Sequence, residues 1–281
     1  LAEAEVVVGT ERIDESYLGR APKLRLVSRF GVGYDAVDVE ACTRRGIYVT
    51  HTFGVLSGAV ADHTWALILS LMRRIPHADR FTREEWALRK RAFPFGSDLS
   101  GKTLGIVGLG AIGAEVAKRA QGFGVRLLYH DIVRRRELEE GYGIGYAELE
   151  ELLRRSDIVT LHVPLLPTTR GLIGERAFEM MKPSAVIINT SRGPVIDQSA
   201  LVEALESGRI AGAALDVFEV EPIPLDDRLL RMENVVVTPH IASATWETRR
   251  RMAMSCAENI RAYLRGERPP NLVPEQRDVF F

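Results

Sequence analysis

Short apolar runs and amphipathic stretches alternate along this chain. "EVVVG" (5–9) and "KLRLVSRFG" (23–31) have strand character, and "DVEACTRRG" (38–46) is a short helical pattern closed by glycine. A third strand is expected at "IYVTHT" (47–52). "SGAVADHTWALILSLMRRI" (57–75) repeats apolar positions at helical spacing and ends on basic residues, which the helix dipole favours there. A polar, basic helix or loop, "FTREEWALRKRAFPFG", then carries the chain to about residue 100.

Beyond it, "KTLGIVGLG", "RLLYHD", "DIVTLHVP", "AVIINTS", "GAALDVF" and "NVVVTPH" read as strands, most of them separated by helical patterns such as "AELEELLRR" and "SALVEALESG". Nearly pure apolar strands alternating with helices predict a parallel sheet covered on both faces. A last helix is expected over about 245–265, before "RGERPPN". The predicted fold is α/β: a Rossmann-type doubly wound sheet over 56–244, with a discontinuous substrate-binding lobe from 1–55 and 245–281. The ligand cleft is expected between them, outside the carboxyl ends of the strands. There is no internal repeat.

Composition narrows the function. Apolar residues make up 46% and charged residues 27% of 281 positions, as in ordinary globular proteins. A net charge of −1 gives no reason to expect a nucleic-acid partner. No run is long enough to span a membrane, and no signal peptide is recognisable. Cys42 and Cys256 lie far apart without metal-ligand spacing, so neither a zinc site nor a disulfide framework is expected, in keeping with a cytoplasmic protein.

The chemistry begins at "GIVGLGAIGAEVAKRA" (105–120), where Gly108, Gly110 and Gly113 fall in G-x-G-x-x-G spacing between an apolar strand and a helix. Such a turn, Gly108, Leu109, Gly110, Ala111, Ile112 and Gly113, would set a dinucleotide pyrophosphate on the helix N-terminus. Asp131 ends the next strand, where a carboxylate accepts from the adenine ribose and repels a 2′-phosphate. NAD is therefore the expected cofactor, with NADP left open by Arg134, Arg135 and Arg136. Further on, Arg192 ("INTSRGPVID"), Glu221 ("DVFEVEP") and His240 ("VVVTPHIAS") all follow apolar strands, on the side where the nucleotide would bind. Hydride transfer to a 2-oxo acid needs such a set: a cation for the carboxylate and carbonyl, an imidazole as proton donor, and a carboxylate to orient and charge that imidazole.

The strings "FGVGYDAVD", "GLGAIG", "NTSRGPVID", "ALDVFEVEP" and "TPHIAS", in this order from about residue 24 onward, resemble the D-isomer-specific 2-hydroxyacid dehydrogenases. The resemblance implies catalytic roles for Arg192, Glu221 and His240, and backbone N–H groups of Val32 and Gly33 gripping the substrate carboxylate. It also implies that His162, Val163, Pro164, Thr190, Ser191, Arg192, Asp216 and His240 border the nicotinamide half of the cofactor. The second lobe would be flavodoxin-like, and a homodimer would form through the helix near 57–75, with Trp86 a candidate to reach a neighbouring active site. "VTHTFGVLSGAVADHTWALIL" with "RRIPHADRF" is most similar to the glyoxylate and hydroxypyruvate reductase branch, which includes 2-ketogluconate reductases, so a small 2-oxo acid is the expected substrate. His51 and Phe53 depart from the Asn and Pro usual there. The family's first strand and helix have no counterpart before Leu1, so a lost earlier segment and an N-terminally incomplete lobe are expected. An NAD-sensing, corepressor-like regulator on the same fold is the alternative function. Formate dehydrogenase is disfavoured, because that branch has Gln where Glu221 stands.

Overall fold

A computed structural model describes residues 1–88 and 92–280; "RKR" (89–91), within the expected basic helix or loop, lies outside the described residues. The chain divides into two compact units, Leu1–Ala59 with Ser243–Phe281, and Val60–Ala242.

The smaller unit holds β1 (Val6–Gly9), β2 (Leu26–Arg29) and β3 (Tyr48–Thr50), parallel and in that order. Its crossover helices are only six residues each, and each starts on an aspartate: Asp14 accepts from Tyr17 N and Asp38 from Ala41 N. The first of them, Glu15–Arg20, buries only Leu18, too little to leave a periodic signal in the sequence. Leu18, Leu24, Val27, Ala41 and Val49 build the core, with Val273 from the C-terminal segment among them. That segment is held by a buried Gln276. Its Oε1 accepts from Val49 N at 2.7 Å, and its Nε2 donates to Thr43 Oγ1 and Ile47 O at 2.9 Å. The helix Trp246–Leu264 packs on β2.

The larger unit contains β4 (Thr103–Val107), β5 (Arg126–His130), β6 (Gly145–Tyr146), β7 (Ile158–Leu161), β8 (Val186–Asn189), β9 (Gly212–Leu215) and β10 (Val235–Val237). All are parallel, in the spatial order β10-β9-β8-β7-β4-β5-β6. Winding runs outward from β4 in one direction and restarts at β7 in the other, which makes the β4/β7 border the switch point of a Rossmann-type sheet. Side-chain alternation sends Val159, Leu161 and Ile187 into one core with Leu152, Phe178 and Leu201, and Ile158, Val186 and Ile188 into another with Trp65, Ile68 and Val116. Two-sided burial explains why these strands read as unbroken apolar runs. β6 escapes the sequence pattern because it is a two-residue edge strand in a glycine-rich stretch. The long helix ends at Met72, earlier than the apolar pattern suggests. Arg74 adopts a left-handed conformation (φ 55°), and Ile75–Glu84 restarts with a proline in its first turn. No described helix is long and apolar enough to cross a membrane.

Replacing Gln276 with Ala would leave the Val49 N–H and Ile47 carbonyl buried and unpaired, at about 1–3 kcal/mol per group. Urea unfolding and exchange of the Val49 amide should both register a loss of that order in the smaller unit. Exchange no faster than in the parent chain would contradict this account of the C-terminal anchor.

Candidate active site

Register decides what lies at the sheet's edge. His130, Val107, Leu161, Asn189, Leu215 and Val237 are neighbours across β5, β4, β7, β8, β9 and β10. The residues that follow them, Asp131, Gly108, His162, Thr190, Asp216 and Thr238, therefore emerge together at the carboxyl ends of the strands.

At the switch point the chain turns through Gly108 (φ 93°), where a Cβ would sit 2.8 Å from His162 O. A Cβ at Gly113 would meet the Gly108 carbonyl at 2.2 Å, so only glycine allows the helix Ala111–Ala120 to start this close to the turn. Space around Gly110, which precedes that helix, is open. Leu109 is buried and donates its N–H to Asp131 Oδ2 at 2.7 Å, while Val133 N donates to Oδ1 at 3.0 Å. Asp131 is thus fixed at the tip of β5 with one free lone pair on each oxygen. These residues fit a dinucleotide: a glycine turn without side chains, free N–H groups at a helix N-terminus and a held carboxylate for the ribose. Ala111 and Ile112 form the first turn of that helix, and the Val163 side chain lies against Gly108. Pro164, exposed after β7, accepts from Thr169 Oγ1 through its carbonyl. Of the three arginines beyond Asp131, Arg134 is committed. It donates to both oxygens of Glu139 (2.8 and 3.0 Å) and lies over the Tyr146 ring. Those bonds hold the Glu139 pKa down at about 2.

On the other side of the switch point, His240 Nδ1 lies 2.7 Å from Glu221 Oε2, and Glu221 Oε1 accepts from Phe218 N at 3.0 Å. The bond to Glu221 raises the His240 pKa against the opposing pull of burial and of Arg192. Burial opposes a charged Glu221, yet the bonds from His240 and Phe218 outweigh it and its pKa falls below the usual carboxylate value. The ion pair therefore forms readily. With Nδ1–H donated to the carboxylate, Nε2 is left to exchange a proton. Arg192 acts electrostatically on both partners. Its backbone is set by the buried Asn189, whose Nδ2 donates to the Arg192 carbonyl while Oδ1 accepts from Ser191 N and Oγ. Asn189 is a turn-former that sequence reasoning passed over.

His240 itself has φ 54°, a left-handed conformation uncommon for a residue with a Cβ. Asp216, fully buried, holds the turn on both sides of it: its carboxylate accepts from Thr238 Oγ1 (2.6 Å), Ile241 N (2.9 Å) and Ala242 N (2.8 Å). Its own carbonyl accepts from His240 N. Thr238 spends its only hydroxyl proton on Asp216, so its oxygen accepts from His63 Nε2 at 3.1 Å. His63 therefore supports the histidine turn, a role its place in an apolar helix does not announce.

The other expected residues are placed as follows. His162 bonds Thr160 Oγ1 through Nε2; its edge is partly exposed, but burial pushes its pKa down to about 3, so it is neutral. Thr190 is buried, with its hydroxyl on Thr64. Glu219 pairs reciprocally with Gln198: each backbone N–H meets the other's side-chain oxygen at 3.2 Å. In the smaller unit, Val32 and Gly33 lie in the partly exposed loop after β2, and their N–H groups have no protein acceptor among the described residues. Among those residues there is no group of three or more His, Cys, Asp or Glu able to hold a metal.

The profile of the D-isomer specific 2-hydroxyacid dehydrogenase NAD-binding domain matches residues 65–242. A glyoxylate reductase of Korarchaeum cryptofilum is 52% identical over 276 residues, covering 98% of this chain and 83% of its own. The chain belongs to the D-isomer-specific 2-hydroxyacid dehydrogenases. Two solved members superpose closely. One is the NADPH-dependent glyoxylate/hydroxypyruvate reductase of Sinorhizobium meliloti with NADP and malonate (TM-score 0.91, 36% identity, 97% of this chain and 85% of that one). The other is the D-lactate dehydrogenase of Aquifex aeolicus with NAD and lactic acid (TM-score 0.89, 33% identity, 97% and 87%). As a member of this family the chain is an NAD(P)-dependent dehydrogenase that interconverts a 2-oxo and a 2-hydroxy acid.

The raised His240 pKa carries a sign. Protonation of His240 favours the folded state, fully so below the unfolded value near 6.5, and the contribution is lost as pH rises through the folded pKa. In Glu221→Gln the neutral amide removes the main cause, so the His240 pKa followed by NMR should fall. Glu219→Gln should leave it in place. An unmoved His240 in the first variant would dissolve the pairing.

Proposed function

We propose that this dehydrogenase reduces glyoxylate, hydroxypyruvate or a 2-ketogluconate-type acid to the D-2-hydroxy acid, with NADH preferred over NADPH. The observation that carries the proposal is the 2.7 Å bond between His240 and Glu221 beside Arg192, at the carboxyl edge of a dinucleotide-type sheet. NAD(P)H, when bound, supplies the hydride. The Gly108–Gly113 turn and Asp131 hold the nucleotide, and the residues from His162 to Pro164 and from Thr190 to Arg192, with Asp216, border its nicotinamide half. Val32 and Gly33 give their N–H groups to the substrate carboxylate. Arg192 neutralises the carboxylate and polarises the carbonyl oxygen. As negative charge grows on that oxygen, His240 Nε2 delivers its proton, leaving a neutral imidazole that Glu221 keeps in the Nδ1–H tautomer. Glu221 takes up no proton; it orients the ring and favours the imidazolium needed at the start. Reduction should therefore slow as pH rises through the raised His240 pKa, and oxidation should show the reverse dependence.

The preference for NADH follows from charge. Asp131 would face a 2′-phosphate as a like charge, and Arg134, the nearest cation in sequence, is spent on Glu139.

A panel of oxo acids with NADH and NADPH tests the assignment, and turnover of none of them would refute it. His240→Ala should lower kcat by about 10²–10⁴, and Arg192→Ala should also raise KM for the oxo acid, both with NADH affinity largely kept. Asp131→Ser should narrow the NADH/NADPH ratio in kcat/KM; a wild type that favours NADPH would reverse the cofactor assignment.

A further inference from the structure

We propose that His51 is a positioning residue of the carboxylate-binding loop, fixing the direction of the Gly33 N–H through the carbonyl of Val32. The inference rests on the functional reading above and adds the group that aims the loop's donors.

Two consecutive peptide planes in this loop are clamped from behind. The Gly31 carbonyl accepts from Thr52 N at 2.9 Å, and the Val32 carbonyl lies 2.9 Å from His51 Nδ1. The Glu221–Pro222 bond is the one cis peptide among the described residues, so both loop peptides are trans. In a trans peptide the carbonyl and the N–H point in opposite directions. Holding the Gly31 carbonyl therefore aims the Val32 N–H, and holding the Val32 carbonyl aims the Gly33 N–H. Neither of those two N–H groups has a protein acceptor among the described residues. One clamp is main chain, independent of residue type. The other is a side chain.

Because Val32 O can only accept, His51 must carry its proton on Nδ1, which leaves Nε2 bare. The surroundings agree. His51 is 5% exposed, and its Nε2 has no hydrogen-bond partner. The Tyr34 ring meets it edge-on at 5.3 Å, and the Phe53 ring lies 5.7 Å away. Burial lowers its pKa, and Arg277 adds to this, against the Val32 carbonyl and Glu275, which favour the charged form. The nearby Tyr34 hydroxyl is bonded to Glu275 and titrates only at about 12. His51 N is also tied to Asn271 O, so the ring grows from a fixed backbone. A neutral, immobile imidazole makes a directional clamp. Its burial and lowered pKa distinguish it from His240, which is half exposed and whose pKa is raised.

Two measurements test this. In 15N-labelled wild type, ring-nitrogen NMR should find His51, identified by the signal lost in His51→Asn, as the neutral Nδ1–H tautomer at neutral pH. An Nε2–H tautomer or an imidazolium would overturn the proposal whether or not the enzyme turns over. In kinetics, His51→Phe keeps an aromatic ring but cannot donate, so KM for glyoxylate should rise by about fivefold, the scale of one neutral hydrogen bond. Its kcat and its KM for NADH should stay within about twofold of wild type on that same scale. His51→Asn, whose amide nitrogen can take the place of Nδ1, should restore KM. An unchanged KM in His51→Phe, or an equal loss in kcat and in NADH binding, would overturn the clamp while leaving the dehydrogenase assignment standing. A wild type without oxo-acid reductase activity would overturn that assignment and the clamp's role with it.

Discussion

The larger unit depends on the register of its parallel sheet. Six neighbouring strands bring His130, Val107, Leu161, Asn189, Leu215 and Val237 into one row. Everything proposed to act in this unit either follows that row directly or hangs from a residue that does. Four-residue strands such as β7 and β8, buried on both faces, have no freedom to slip: a shift of one position would exchange the side chains of the two cores. Packing far from the chemistry therefore sets the height at which glycine, arginine and histidine emerge.

Within that frame the His240–Glu221 pair is supported by a second, buried carboxylate. Glu221 and His240 are partly open, with side-chain exposures of 36% and 50%, so their mutual attraction is moderated by water. Asp216 is fully buried and makes bonds of another kind, to the N–H groups and hydroxyl that fix the turn carrying His240. Charge on one carboxylate tunes the proton, and charge on the other holds the backbone. His63 joins this arrangement through Thr238 and ties the histidine turn to the helix Ser57–Met72.

Much of this was legible in the sequence, for identifiable reasons. Apolar strands alternating with helices point to a doubly covered parallel sheet, and Gly108 and Gly113 stand where only glycine fits. Arg192, Glu221 and His240 stood out because each follows such a strand. Elements below the length of a periodic signal, Glu15–Arg20 and Gly145–Tyr146, did not stand out. Nor did the supporting residues. Asn189, His63 and Gln198 act through hydrogen bonds to residues distant in sequence or to backbone, and a lone Asn, His or Gln carries no spacing that reveals this. The two glutamates of "DVFEVEP", already distinguished in the sequence by the resemblance, have different partners in three dimensions, Glu221 on His240 and Glu219 on Gln198.

The loop at Val32 and Gly33 offers main-chain donors, atoms that every non-proline residue possesses. As the proposed carboxylate grip, such donors are nearly blind to side-chain replacement within the loop, so drift there would leave that recognition standing. On that proposal, changes of preference among oxo acids would have to enter through neighbours with distinctive side chains, such as the exposed Phe53 beside His51. Under the proposed reading, the common part of the substrate meets the part of the chain least exposed to mutation, and novelty is confined to its border.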